Sequence, residues 1–206
     1  LVMLVYLMAV IDRANVGFAK LQMVKDLGMS ETTYGFAASL FFVGYLVFEV
    51  PSTLALNRYG ARLWLARILL SWGAVTVALA FTTSHAMFTG LRFLLGVAEA
   101  GAYPGIIFFT TLWFPQAYRA RVMAIVTLGS AFGNMFGSLV SGPLLDLNGV
   151  LGLRGWQWIF IATGVPAVLI GIAVYLYLTD EPARATFLSR DEKAWLQETL
   201  ARENTA

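Results

Sequence analysis

The chain alternates between long apolar runs and short polar breaks, and the length of the runs decides what they are. A membrane-spanning helix needs about 20 mostly apolar residues. The pattern predicts six such spans, over residues 1–19, 33–56, 63–83, 86–113, 122–146 and 159–178. Asp26-Leu27-Gly28 and Ser30 mark the break before the second span, Asn57-Arg58-Tyr59-Gly60 the one after it, Pro115 the end of the fourth and Gly142-Pro143 the end of the fifth. Pro51, Pro104 and Pro166 fall inside spans and are expected to kink them; Trp156 and Trp158 read as anchors at the membrane interface. After Asp180-Glu181-Pro182 the apolar character ends. Ser189-Arg190-Asp191-Glu192 reads as a helix N-cap with an acidic first turn, and Ala194, Leu196 and Leu200 give that helix a weak apolar face suited to a membrane surface. The expected architecture is an all-α membrane protein: a six-transmembrane-helix bundle over 1–178, then a cytoplasmic segment with a short amphipathic helix over 179–206.

Composition sharpens this picture. Of 206 residues, 59% are hydrophobic and 13% charged, against roughly 25% charged in an average soluble domain. A net charge of +2 offers no support for nucleic-acid binding, and the absence of cysteine excludes disulfides, thiolate metal sites and thiol catalysis. The apolar run at Leu1 has neither a basic n-region nor a cleavage site, so it is not a signal peptide, and the true start of the chain is expected upstream. Orientation follows from Lys and Arg. Nine of the 14 (Arg58, Arg62, Arg67, Arg119, Arg121, Arg184, Arg190, Lys193 and Arg202) follow the second, fourth and sixth spans, three (Lys20, Lys25 and Arg154) follow the others, and Arg13 and Arg92 lie within spans. Both ends of the segment are therefore expected on the cytoplasmic side.

Candidate chemistry comes from charge where charge is costly. Asp12, Arg13, Glu49, Arg92 and Glu99 sit inside spans, at roughly 2.5–3.5 kcal/mol each near a helix centre, and such residues usually face a bundle interior or an aqueous cavity. Arg92 and Glu99 are two turns apart and share a face that Gly96 and Tyr103 extend. Asp12 and Arg13 point about 100° apart, with Tyr6 on the Arg13 face. Asp12 and Arg92 have similar depths and can meet across an interface. Glu49, nearer a helix end, is read as a structural or gating group. Thr127, Ser130, Asn134, Ser138 and Ser141 line one side of the fifth span, whereas the third and sixth are almost pure hydrocarbon in their middles. Four helices are thus expected to line a wet cavity and two to face lipid. Gly129, Gly133 and Gly137 read as close helix packing. His85 reads as a surface residue, which with the missing cysteines leaves no catalytic constellation, no metal site and no cofactor.

Three carboxylates against two arginines leave −1 if all are ionised, and a bound anion makes −2. Burial disfavours an ionised carboxyl, so the charge balance points to an anion entering with one or more protons, held by arginine through bidentate hydrogen bonds.

The segments Ile11-Asp12-Arg13-Ala14-Asn15-Val16, Phe42-Val43-Gly44-Tyr45-Leu46-Val47-Phe48-Glu49-Val50-Pro51-Ser52, Arg92-Phe93-Leu94-Leu95-Gly96-Val97-Ala98-Glu99-Ala100-Gly101 and Trp113-Phe114-Pro115 with Arg119 and Arg121 resemble the N-terminal half of a major facilitator superfamily transporter, and more narrowly its anion:cation symporter family. Asp180 to Leu200 looks like that family's central loop. The resemblance implies twelve helices in two six-helix bundles, the second being a C-terminal bundle of the same full-length protein. It also implies alternating access in a bacterial inner membrane and proton-coupled uptake of a sugar acid, hydroxy-diacid or aromatic carboxylate. It assigns Arg13 and Arg92 to substrate carboxylate or to organising the site, Asp12 and Glu99 to proton coupling and Tyr45 to the cavity wall; the polar stripe adds Asn134. The superfamily's Gly-x-x-x-Asp-Arg-x-Gly-Arg-Arg loop survives here only as Arg58, Gly60 and Arg62, because Thr53, Asn57 and Ala61 replace its other members. A gate latch through the missing acid is not expected. Uniport or antiport of organic anions, and remotely a non-transporting membrane assembly subunit, stay open at this level.

Overall fold

A computed structural model describes residues 1–204, so the last two residues of the 179–206 segment lie outside the described residues. Six stretches are long and apolar enough to cross a membrane. Helix α1 spans Val2–Asp26, α2 Glu31–Tyr59, α3 Ala61–Ala80, α6 Gln116–Asp146 and α7 Gly155–Tyr177. The fourth span is divided into α4 (His85–Glu99) and α5 (Ala102–Trp113), and the tail carries α8 (Arg190–Asn204).

The division of the fourth span differs from the kink expected at Pro104. The break falls at Ala100 (φ −54°, ψ 132°) and Gly101 (φ 86°). Pro104 sits in the first turn of α5, where its missing N–H has no intrahelical partner to lose. The Ser52 hydroxyl donates to the freed Ala100 carbonyl at 2.6 Å, and the Trp64 indole donates to Ser52 Oγ at 2.9 Å. Pro51 and Pro166 lie within α2 and α7 without ending them.

Glycines set two close helix crossings. A Cβ on Gly44 would lie 2.5 Å from the Phe93 carbonyl oxygen, and one on Gly96 would overlap the Phe41 carbonyl, so α2 and α4 touch backbone to backbone. A Cβ on Gly73 would meet the Gly164 carbonyl at 2.7 Å, and the reverse at 2.8 Å, which closes α3 on α7. Small residues allow such approach in a bilayer, where apolar surface alone does not drive helices together. Gly133 faces Val10 and Gly137 faces Asn15 and Ala14, so the fifth-span glycines pack α6 on α1 as expected.

Helix α3 has two faces: Leu63 and Leu70 are exposed, while the opposite side turns into the bundle. Trp72 and Thr76 are both 0% exposed. In α7, Trp156 and Phe160 are buried and the Trp156 indole donates to Asp26 Oδ2 at 2.9 Å, so Trp156 ties the bundle together instead of anchoring at the interface. Arg154 pairs with the same carboxylate.

At the opposite end, the segment after α7 supplies what two helices lack. Neither α3 nor α6 has a side-chain cap of its own. Asp180 Oδ1 accepts from the Arg62 N–H at 2.6 Å, and Glu203 accepts from the Gln116 N–H at 2.8 and 3.0 Å while pairing with Arg119 at 3.1 Å. Carboxylates at helix N-termini satisfy free donors and oppose the helix dipole.

Candidate functional site

A cavity of about 270 Å³ opens between α1, α2, α4 and α5, lined by Tyr6, Arg13, Phe41, Tyr45, Glu99 and Tyr103 among others. Each comes from a distinct structural cause. Tyr6 and Arg13 share one face of α1, two turns apart. Phe41 and Tyr45 lie on the α2 face that the Gly44–Gly96 contact presses onto α4. Glu99 is the last residue of α4, just before the Ala100–Gly101 break, and Tyr103 follows in the first turn of α5. The Tyr6 and Tyr103 rings stand 5.8 Å apart.

The central contact is between Arg13 Nη2 and Glu99 Oε1, at 2.7 Å. The partners are unequal: the Arg13 side chain is 42% exposed and the Glu99 side chain 0%. An ion arriving through the cavity therefore meets the guanidinium first. Arg13 also lies 5.3 Å from the Tyr45 ring centroid and 5.9 Å from that of Phe41. These faces favour a cation and hold the guanidinium over the cavity.

Asp12 and Arg92 lie apart from this cavity. Asp12 is 3% exposed and turns towards α3, where the Thr76 hydroxyl donates to Oδ1 at 3.2 Å. Arg92 is buried over the Phe41 ring at 4.7 Å, and its Nε has no hydrogen-bond partner. The two are close enough to interact as charges, yet no ion pair joins them among the described residues. Phe41 contacts both guanidiniums, Arg13 from the cavity and Arg92 from the dry interior.

The remaining predicted residues lie elsewhere. Asn134 is exposed on α6 and donates to its own helix at the Ser130 carbonyl, 2.9 Å. Ser130 and Ser138 likewise donate to backbone carbonyls of α6. Ser141 is buried, its hydroxyl 2.6 Å from the Gly137 carbonyl of its own helix and 3.0 Å from Asn15 Oδ1. Glu49 is half-buried on α2, one turn from Tyr45, with no ion-pair partner among the described residues. Arg58 is exposed beside Tyr59. Gly60 packs under the Asp180 carboxylate, and Arg62 donates from Nε to the Tyr175 carbonyl at 2.7 Å. The loop after α2 is thus fastened to the end of α7 by Asp180, an acid outside the loop motif.

Phe41, Trp72 and Thr76 escaped the sequence reading. An aromatic or a lone threonine in an apolar span carries no local signal, and only the rotation of α1 against α3 brings Thr76 to Asp12. A larger groove of about 730 Å³ lies beside α8, lined by Trp113, Phe114, Val122, Leu196 and other apolar residues. It contains no Asp, Glu, Lys or Arg, so the candidate chemistry lies in the smaller cavity.

A bundle of six helices long and apolar enough to cross a membrane, with a buried carboxylate paired to an arginine that faces a cavity, is the build of a polytopic membrane protein. The chain belongs to the Major Facilitator Superfamily, whose family model matches residues 2–203. It is 49% identical over 205 residues to a protein of Agrobacterium vitis named "Putative tartrate transporter", covering 100% of this chain and 47% of that protein. It is 44% identical over 200 residues to a quinolone resistance transporter of Acinetobacter baumannii, covering 97% of this chain and 46% of that one. The fold matches a bacterial homologue of the human lysosomal transporter Spinster with a TM-score of 0.80 at 20% identity, over 92% of this chain and 45% of that one. The chain spans about half the length of the curated relatives it matches, and its six helices form one half of the twelve-helix major facilitator fold.

Proposed function

We propose that this chain forms the N-terminal bundle of a proton-coupled symporter for a small organic anion, with a hydroxy-diacid as the favoured substrate. The observation that carries the reading is the 2.7 Å Arg13–Glu99 contact, in which the arginine faces the cavity and the carboxylate is buried. A substrate carboxylate entering the cavity competes with Glu99 for the guanidinium, which suits a carboxylate bidentately. Once Arg13 turns to the substrate, Glu99 is left buried without its partner. Leaving a buried carboxylate ionised without its partner is costly. A proton taken up by Glu99 removes that cost, so anion and proton enter together. Tyr6, Tyr45 and Tyr103 offer hydroxyls to the rest of the substrate.

Asp12 is the second proton site and Arg92 its organiser behind Phe41. Asn134 and Glu49 receive no substrate contact in this cavity. The other wall of the binding site belongs to a C-terminal bundle of the full-length protein. The basic loops after the second, fourth and sixth spans favour a cytoplasmic position for both ends of this segment, and the bacterial relatives favour an inner membrane. The similarity to a protein named as a tartrate transporter favours a diacid. The similarity to a quinolone resistance transporter favours a second reading, proton-driven export of an aromatic carboxylate from the same site. Uptake of labelled tartrate by the full-length protein in proteoliposomes decides between them. An acidic exterior should accelerate uptake and a protonophore should abolish that acceleration; uptake indifferent to the proton gradient defeats the coupling.

A further inference from the structure

Asp12 is enclosed by α3, whose mid-span composition is mostly apolar; of the polar groups α3 carries at this level, Ser71 bonds to its own helix, while Thr76 and Trp72 face Asp12. The Thr76 hydroxyl, on a residue with no exposed surface, donates to Oδ1 at 3.2 Å. A threonine hydroxyl in a helix ordinarily bonds back to its own backbone, as Thr110 does to the Ile106 carbonyl at 2.8 Å and Thr163 to that of Ile159 at 3.0 Å. Thr76 reaches across to another helix instead. One turn away, Trp72 is also completely buried, its indole N–H is among the groups acting on the Asp12 carboxyl, and that N–H has no acceptor closed upon it. A buried donor without an acceptor is costly, and Asp12 is the acidic group that Trp72 faces.

We propose that Thr76 and Trp72 are positioning residues for Asp12: a donor pair on α3 that orients its carboxylate and sets the pH at which it takes up a proton. The inference rests on the reading of Asp12 as a second proton site. The Thr76 hydroxyl donates to the carboxylate, and the Trp72 indole N–H, which can only donate, faces it with no other acceptor, so together they favour the ionised form. The charges around Asp12 are Arg92 on α4, Arg13 beside it on α1 and the more distant Glu99; α3, α6 and α7 bring it no charged side chain among the described residues. The local balance therefore depends on neutral donors that a substitution can remove without altering any charge.

The test uses the full-length protein and a readout independent of transport. Infrared difference spectra recorded across pH report the carboxylic-acid carbonyl band of Asp12, assigned as the band missing from Asp12→Asn. Thr76→Val, nearly the same shape without the donor, should move the titration midpoint up by about one pH unit, the equivalent of about 1.4 kcal/mol. Thr76→Ser should restore it, and Trp72→Phe should move it in the same direction by less. The pH profile of uptake should shift in parallel. A midpoint equal in wild type and Thr76→Val, or an Asp12 band that never titrates, overturns the inference. A shifted midpoint with uptake insensitive to pH leaves the positioning intact and refutes proton coupling instead.

Discussion

Asp12 and Arg13 are neighbours on one helix and live in different media. Arg13 projects into a cavity, pairs with Glu99 and leaves two-fifths of its side chain (42%) accessible. Asp12, rotated about 100° around α1, is enclosed between helices with a single hydrogen bond, from Thr76. Phe41 separates the two regions and touches an arginine in each. The difference teaches how one bundle can treat substrate and proton separately. On the proposed function, the cavity layer would read an anion by direct competition for a guanidinium, while the enclosed layer around Asp12 would respond to protons.

The comparison breaks most severely if Arg13 is removed. Arg13→Ala strips the cavity of its anion contact and strands Glu99, so uptake should fall a hundredfold or more, equivalent to about 2.7 kcal/mol of lost substrate binding. Arg13→Ala with Glu99→Gln should recover thermal stability of the purified protein and leave uptake absent. If the double variant transports, the cavity is not where the anion binds. Asp12→Asn should sharpen the contrast. Substrate affinity measured by calorimetry should stay within about threefold, roughly 0.7 kcal/mol, while the pH dependence of uptake flattens. An affinity loss as large as that of Arg13→Ala would merge the two layers into one site.

Most of the architecture is legible in one dimension, because an apolar run of about 20 residues fits a membrane-spanning helix and little else. The exceptions are instructive. Proline marks its own position loudly, yet the fourth span breaks at Ala100–Gly101, where Ser52 from α2 satisfies the freed carbonyl. Asp180 caps a helix that begins 118 residues earlier at the Arg62 N–H, and no local pattern announces that. Within the site, Arg13, Glu99, Tyr6 and Tyr103 are readable from charge and helical spacing, whereas Tyr45 enters only through the family resemblance. Depth alone places Asp12 opposite Arg92, whereas its hydrogen bond goes to Thr76. A threonine in a span looks like a self-satisfied residue until the neighbouring helix is known. The α6 stripe lies outside this cavity, and Ser130, Asn134 and Ser138 each donate to a carbonyl of their own helix.

Smaller effects are expected far from both layers. Asp180→Asn and Glu203→Gln weaken carboxylate caps of α3 and α6, at about 0.5–2 kcal/mol each. Melting temperature should drop while the substrate KM is unchanged; a changed KM would extend the site to the capped ends. The smallest effect lies in the tail. The Ser189 N–H donated to Glu192, joined by the Ser189 hydroxyl, holds that carboxyl below its usual range. A lowered value means the contact stabilises α8 above the unfolded carboxyl value near 4.3, and this contribution fades as pH falls through the folded one. Amide exchange at the start of α8 should quicken in acid with no change at the cavity residues.

The central claim is that the anion displaces Glu99 from Arg13 and that Glu99 then takes the proton. Proton uptake on substrate binding tests it directly: tartrate is added to the full-length protein in weakly buffered detergent solution, and the change in pH is followed by a dye. The wild type should alkalinise the medium as tartrate binds, and Glu99→Gln should bind tartrate with that signal reduced by the proton Glu99 no longer takes. Equal proton uptake by wild type and Glu99→Gln, at equal tartrate occupancy, would contradict the account.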